Sequence, residues 1–285
     1  MFNHNEDDIN ELSASDVYII ASPNETHVEW IETIRSFGQD KYIFCEKPPA
    51  TSHEDLQKIK EYDPRIYFNF NYRNTKFSDL VLSNINNGSL GKIIYASFFS
   101  SHGLAFKETF IKDWRFSGKS LSSSIIGNVG IHYIDLINYL FGNLKTAHIS
   151  NRNVASEELP DTSLISIESE ICSSTVFISY AAPFRNEAMA VFDNGIIRLL
   201  NGIITIQTPR DHFDQSDRFC PSEDEIIEPR FIDSRSYYDD SLSESVSHFI
   251  ETAKDSGAFP YKCYEKSISS NKVILDLISD LNNEE

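Results

Sequence analysis

Three short apolar runs separated by two helical stretches fill residues 16–70, and this alternation constrains the fold more than any other feature. DVYIIA at 16–21 is apolar and β-branched, and SPNETH follows, in which Asn24 is placed to cap a helix running through VEWIETIRSF to Gly38. Tyr42-Ile43-Phe44-Cys45 is the second run and ends at Glu46-Lys47-Pro48-Pro49. Ser52-x-x-Asp55 has the form of a capping box and opens a helix through Leu56 and Ile59; IYFNF at 66–70 is the third run. Near-continuous apolar strands suit a sheet covered on both faces, so the order reads β-α-β-α-β with parallel strands, half of a nucleotide-binding fold.

From residue 90 the pattern changes. KIIYASFFS, TAHISN, SLISIESEI and STVFISYAA alternate apolar and polar residues, as strands with one wet face do. Asn194-Gly195 and Asn201-Gly202 signal hairpins, because a type I′ turn needs positive φ at both central residues. A helix near 127–141, ended by Gly142, interrupts this sheet, and two helices near 241–255 and 265–281 close the chain. The fold class is therefore α/β. A partial Rossmann-like unit over 1–73 precedes a unit over 74–285 built on an open, mainly antiparallel sheet.

The 285 residues carry a formal charge of −18, which repels phosphate backbones and anionic lipid and argues against nucleic-acid or membrane partners. No apolar run approaches the roughly 20 residues that span a bilayer. MFNHNEDDIN lacks the basic and apolar regions of a signal peptide, so a cytoplasmic location is expected. Cys45, Cys172, Cys220 and Cys263 show no C-x-x-C spacing, which points to free thiols rather than a zinc site or disulfides. Small molecules or protein remain as partners. The apolar face left by the strands between 145 and 208 predicts a second subunit, in a homodimer or larger assembly.

Glu46-Lys47-Pro48 falls at the carboxyl end of a parallel strand, where open α/β sheets place ligands. A lysine desolvated there can exchange a proton with a hydroxyl or carbonyl, although an exposed ion pair before a proline turn fits the same tripeptide. Asn128-x-Gly130-x-His132-x-x-Asp135 puts residues 128, 132 and 135 on one helix face. His132 there either lines a cleft and accepts a proton or is satisfied by Asp135 within the helix; metal binding lacks a third ligand. Asn69-x-Asn71-Tyr72-Arg73 and Lys112-Asp113-Trp114-Arg115 offer groups for a polar or anionic substrate, or surface packing.

Taken in order, DVYIIASPNETHVEW, YIFCEKPPATS, FNFNYRN, NNGSLGKI and NVGIHYIDLINYLFG resemble the Gfo/Idh/MocA family of NAD(P)-dependent oxidoreductases over nearly the whole chain. The resemblance implies a Rossmann domain followed by an α/β domain with an open antiparallel sheet. It also implies hydride transfer between NAD or NADP and a sugar, cyclitol or sugar-nucleotide hydroxyl or carbonyl. By the same resemblance Lys47 assists proton transfer, His132 acts as acid or base, and Glu46 and the Ser22-Pro23-Asn24 turn lie against the cofactor. Arg73, Trp114, Arg115 and Asp135 are the candidates for substrate. Asn128 stands where the family often has aspartate; an amide orients a neighbour but cannot take its proton.

The family's opening strand and G-x-G-x-x-G turn have no counterpart here, so the chain reads as starting about 60 residues late, just before the fourth strand. That reading predicts an open apolar edge along Val17–Ile20 and weak dinucleotide binding. Its rival to the enzyme reading is a non-catalytic relative that serves as a binding or assembly subunit.

Overall fold

β1 (Val17–Ile20), β2 (Tyr42–Glu46) and β3 (Ile66–Asn69) form a parallel sheet in the order β1-β2-β3, with Val17 opposite Tyr42 and Ile43 opposite Ile66. The computed structural model describes residues 12–111, 121, 124–155, 160–228, 234–255 and 259–283. Helix α1 (His27–Phe37) buries Val28, Ile31 and Ile34, one stripe of its surface, and Gly38 follows it. Asn24 does not cap this helix. Pro23, at φ −56°, leads into a 3-10 turn over Asn24–Thr26, so α1 starts at His27, whose N–H donates to the Asn24 carbonyl. Helix α2 (His53–Ile59) is capped as expected, with Ser52 Oγ accepting from the Asp55 N–H at 3.1 Å.

Among the described residues β1 is hydrogen-bonded on one side only. Tyr18 and Ile20 are buried in the core, whereas Val17 and Ile19 are 45% and 63% exposed. An apolar cavity of about 420 Å³ lies beside this edge, lined by Tyr18, Ile20, Trp30 and Phe37 among others; neither Lys47 nor His132 lines it.

Helix α3 (Lys76–Asn87) leads through Gly88, at φ +70°, to the second sheet. Its strands are β4 (Ile93–Ser101), β5 (Thr146–Arg152), β6 (Thr162–Glu168), β7 (Ser173–Ser179), β8 (Arg185–Phe192), β9 (Gly195–Leu200), β10 (Ile203–Gln207) and β11 (Asp224–Glu228). They lie in the order β11-β10-β9-β8-β4-β7-β6-β5, antiparallel except for the parallel pair β4–β7. The alternation predicts the faces: Ala96, Phe98, Ile165, Val176, Ile178, Ala190 and Ile197 all enter the core. Asn201-Gly202 makes the expected turn, with φ of 48° and 96°. Asn194-Gly195 does not. There the loop is Asp193-Asn194, tied to Lys92 O and Leu90 O, and Gly195 already belongs to β9. What requires glycine at 195 is space, since a Cβ would lie 2.9 Å from Gln207 O.

A π-helical turn over Ile126–Gly130 runs into α4 (Ile131–Phe141), which Gly142 ends at φ +87°. Helices α5 (Ser234–Lys254) and α6 (Tyr261–Asn283) then return to the first sheet. Phe249 packs on Phe44 with ring centroids 5.4 Å apart, Tyr264 stacks on Phe68, and Asn271 hydrogen-bonds both the N–H and the carbonyl of Ala50. A boundary drawn at residue 73 therefore separates β3 from helices that cover its own sheet. Among the described residues no helix is long and apolar enough to cross a membrane.

Candidate active site

Lys47 lies just past β2, at the carboxyl end of the parallel sheet, and reaches the π turn. Its Nζ donates to the Asn128 main-chain carbonyl at 2.9 Å and to Asn128 Oδ1 at 3.5 Å. The wider π winding, often found at functional sites, is accommodated by Gly127 and Gly130. A Cβ on Gly127 would sit 2.0 Å from Leu121 O, and one on Gly130 would sit 3.2 Å from Ile178 Cδ1.

One turn further along, His132 stacks on Tyr72 with centroids 4.6 Å apart and planes at 23°. Its ring is half-buried, and Nδ1 is sealed from solvent with no hydrogen-bond partner. Burial, and then the neighbouring Lys47 charge, hold the imidazole well below its usual pKa. The ring is neutral at pH 7 and can accept a proton.

A stability consequence follows from the sign of that shift. Below about pH 6.5 the unfolded chain protonates this histidine while the native chain does not, so stability falls with falling pH. The slope from one such group reaches about 1.4 kcal/mol per pH unit. Urea unfolding between pH 5 and 7 should show the difference between wild type and His132→Gln changing over that range; a constant difference would rule out a neutral, buried imidazole.

The cofactor-side candidates are drawn together by the first residue of α1, His27. His27 is fully buried, with Nδ1 2.9 Å from Pro48 O and Nε2 3.1 Å from Ser22 O. It joins the turn after β1 to the turn after β2. Thr26 Oγ1 donates to Pro23 O at 2.8 Å and lies 2.7 Å from Ser22 Oγ, from whose hydroxyl it can accept, which closes the Ser22-Pro23-Asn24 turn. Glu46 accepts from Asn69 Nδ2 at 2.7 Å, and Asn69 Oδ1 in turn accepts from Ser245 Oγ. Three strand ends are thus fixed relative to one another.

The structure brings Arg73 and Asp135 together. They form a buried ion pair: Arg73 Nε and Nη2 donate to the two Asp135 oxygens at 2.7 and 2.5 Å. Nη1 donates to Cys263 O and Nη2 also to Ser267 Oγ. At 5% and 0% exposure these groups brace the core and present nothing to a substrate. One helix face thus serves two ends, with His132 against Tyr72 and Asp135 against Arg73. Lys112, Asp113, Trp114 and Arg115 lie outside the described residues.

Two further side chains reach Asn128's surroundings without a sequence signal. Asn128 Nδ2 donates to Tyr180 Oη at 3.0 Å, and Tyr180 stacks on His102. Both rings follow the ends of strands, β7 and β4, that are neighbours in the sheet but 78 residues apart in register.

A basic group and a neutral imidazole, set beside the carboxyl ends of a parallel sheet and backed by an open second sheet, define an α/β fold with a candidate site for proton transfer. Residues 3–64 match the family model described as oxidoreductase family, NAD-binding Rossmann fold, and residues 81–198 match that of the GFO/IDH/MocA C-terminal domain. The chain belongs to the GFO/IDH/MocA oxidoreductase family. It is 33% identical to glucose-6-phosphate 3-dehydrogenase of Bacillus subtilis over 136 residues, 46% of this chain and 38% of that protein. It is 29% identical to levoglucosan dehydrogenase of Pseudarthrobacter phenanthrenivorans over 143 residues, 45% of this chain and 34% of that protein. The matched stretch thus spans well under half the length of these curated relatives.

Among solved structures, a levoglucosan dehydrogenase in complex with NADH and levoglucosan superposes with a TM-score of 0.77 at 18% identity, covering 97% of this chain and 81% of that one. A myo-inositol dehydrogenase from Corynebacterium glutamicum gives 0.71 at 17% identity, covering 95% and 80%. These likenesses establish the shared fold.

Proposed function

We propose that the chain is an NAD(P)-dependent oxidoreductase acting on a carbohydrate-like hydroxyl or carbonyl. The observation that carries this reading is the convergence of Lys47, Asn128 and His132 at the carboxyl end of the parallel sheet. The fixed strand ends fit a dinucleotide: the turn at Ser22-Pro23-Asn24 and Glu46 are locked by His27 and Asn69 beside Lys47. A dinucleotide held by these strand ends would supply the hydride acceptor or donor for the substrate carbon. Neutral His132 accepts the hydroxyl proton during oxidation and returns it during reduction. The Lys47 ammonium stabilises charge that develops on the same oxygen. Asn128 cannot move a proton and holds Lys47 by two oxygens.

The names of the relatives support a sugar or cyclitol as substrate and supply the first compounds to try. Glucose 6-phosphate, levoglucosan and myo-inositol, each with NAD+ and NADP+, should be assayed by absorbance of the reduced nicotinamide, beside calorimetric titration of both dinucleotides. Turnover of any of these supports the enzyme reading. Absence of binding by either dinucleotide would overturn it and favour a non-catalytic binding or assembly subunit.

A homodimer or larger assembly is part of the same proposal. On the outer face of the second sheet Phe99 and Phe177 stack at 4.5 Å, and Leu164 across from Phe177 is 45% exposed. Such a face is too apolar to leave wet without reason. Light scattering should report a mass of at least two 32.5 kDa chains, and a stable monomer at micromolar concentration would count against it.

A further inference from the structure

Asn128 stands between two side chains that arrive from opposite sides. Lys47 Nζ donates toward its oxygens, and its own Nδ2 donates to Tyr180 Oη. An ammonium has donors only, so the oxygen end of the amide must face Lys47 and the NH₂ end is left for Tyr180. The Tyr180 hydroxyl is therefore an acceptor in this contact. A carboxylate at 128 would accept from both neighbours, whereas an amide accepts from one and donates to the other, which fixes which end of the side chain faces Lys47.

Tyr180 is itself held by groups other than Asn128. It follows β7 directly and is 2% exposed. Its N–H donates to Asp161 O at 2.7 Å, and its carbonyl accepts from the Ala105 N–H at 2.9 Å. The ring lies on His102 with centroids 4.8 Å apart and planes at 18°. The phenolic oxygen is thus a fixed point set by the scaffold, against which the Asn128 amide can be oriented.

We propose that Tyr180 is a positioning residue for the Lys47 site: its phenolic oxygen fixes the Asn128 side-chain amide so that Oδ1 faces the Lys47 ammonium, beside the main-chain carbonyl that the π turn already presents. It acts through Asn128, because so deeply buried a hydroxyl does not reach a substrate. The consequence for turnover rests on the oxidoreductase reading, whereas the effect on Lys47 itself does not.

Tyr180→Phe removes the oxygen and keeps the ring stack. With whichever substrate the wild type turns over, kcat should fall roughly tenfold, the worth of one well-placed hydrogen bond, while KM changes less than about twofold. Asn128→Ala should lose more, and the double variant Asn128→Ala/Tyr180→Phe should be no slower than Asn128→Ala, since the two residues act as one unit. Multiplying losses in the double variant, or an unaltered kcat in Tyr180→Phe, would overturn the proposal.

A second arm needs no turnover. In protein labelled with ¹³C at lysine Cε, with the Lys47 signal assigned through Lys47→Met, the Lys47 titration midpoint should move to lower pH by about half a unit or more in Tyr180→Phe, because the ammonium loses an aligned acceptor. An unmoved midpoint would overturn the proposal even in an active enzyme. A wild type that binds neither dinucleotide would instead end the oxidoreductase reading and leave this arm to decide the role of Tyr180.

Discussion

Lys47→Met is expected to lower turnover by about 10²- to 10⁴-fold, the usual contribution of a positioned acid or base, while dinucleotide affinity and the fold stay close to wild type. The argument is geometric. Lys47 is the charged side chain that leaves the carboxyl end of β2 and meets the π turn next to His132, and methionine keeps most of its length without the ammonium. Lys47→Arg separates two roles. Arginine keeps the positive charge but does not give up its proton at any working pH. If Lys47 exchanges a proton, arginine should be nearly as inactive as methionine; if it only stabilises charge, arginine should recover most of the rate. Steady-state kcat for the two variants, with circular dichroism as the check on folding, decides between them. A methionine variant within fivefold of wild type would remove Lys47 from the chemistry.

How much of this was legible depends on how far apart in sequence the partners lie. The strand at 42–46 and its Glu46-Lys47-Pro48 ending could be read locally, and so could the Ser52 cap, because both depend on residues within a turn of one another. The face shared by His132 and Asp135 could also be read, but what covers it could not. Tyr72 and Arg73 come from a 3-10 turn some 60 residues earlier, and nothing in helical spacing names them. The π winding at Ile126–Gly130 was equally hidden, since a changed pitch leaves composition untouched. Tyr180 and His102 meet because β4 pairs in parallel with β7, a choice made by the whole sheet. The return of α5 and α6 to the first sheet has the same origin: Phe249 and Tyr264 are apolar patches whose partners, Phe44 and Phe68, lie some 200 residues away.

The largest expected effect on stability belongs to Asp135→Asn. Arg73 and Asp135 tie the turn after β3 to α4, and Arg73 extends the tie to α6 through Cys263 O and Ser267 Oγ. The guanidinium also lies 5.1 Å from the Phe70 ring and 5.4 Å from that of Tyr139, so its surroundings are aromatic and dry. Burial works against the Arg73 charge, but the Asp135 carboxylate holds its pKa above the usual range. Replacing that carboxylate with a neutral amide leaves a buried cation without its counter-charge, which costs about 3–5 kcal/mol. For a chain of this size the midpoint of thermal unfolding should then drop on the order of 10 °C. The double variant Arg73→Met/Asp135→Leu distinguishes a stabilising pair from a stranded charge. With both charges gone no stranded ion is left at this site, so it should unfold closer to wild type than Asp135→Asn does, as apolar replacements of buried pairs often do. Urea unfolding of the three proteins makes the comparison. Asp135→Asn within about 1 kcal/mol of wild type, well short of the cost of a stranded charge, would mean that Arg73 finds another partner and that the pair does not brace these three elements.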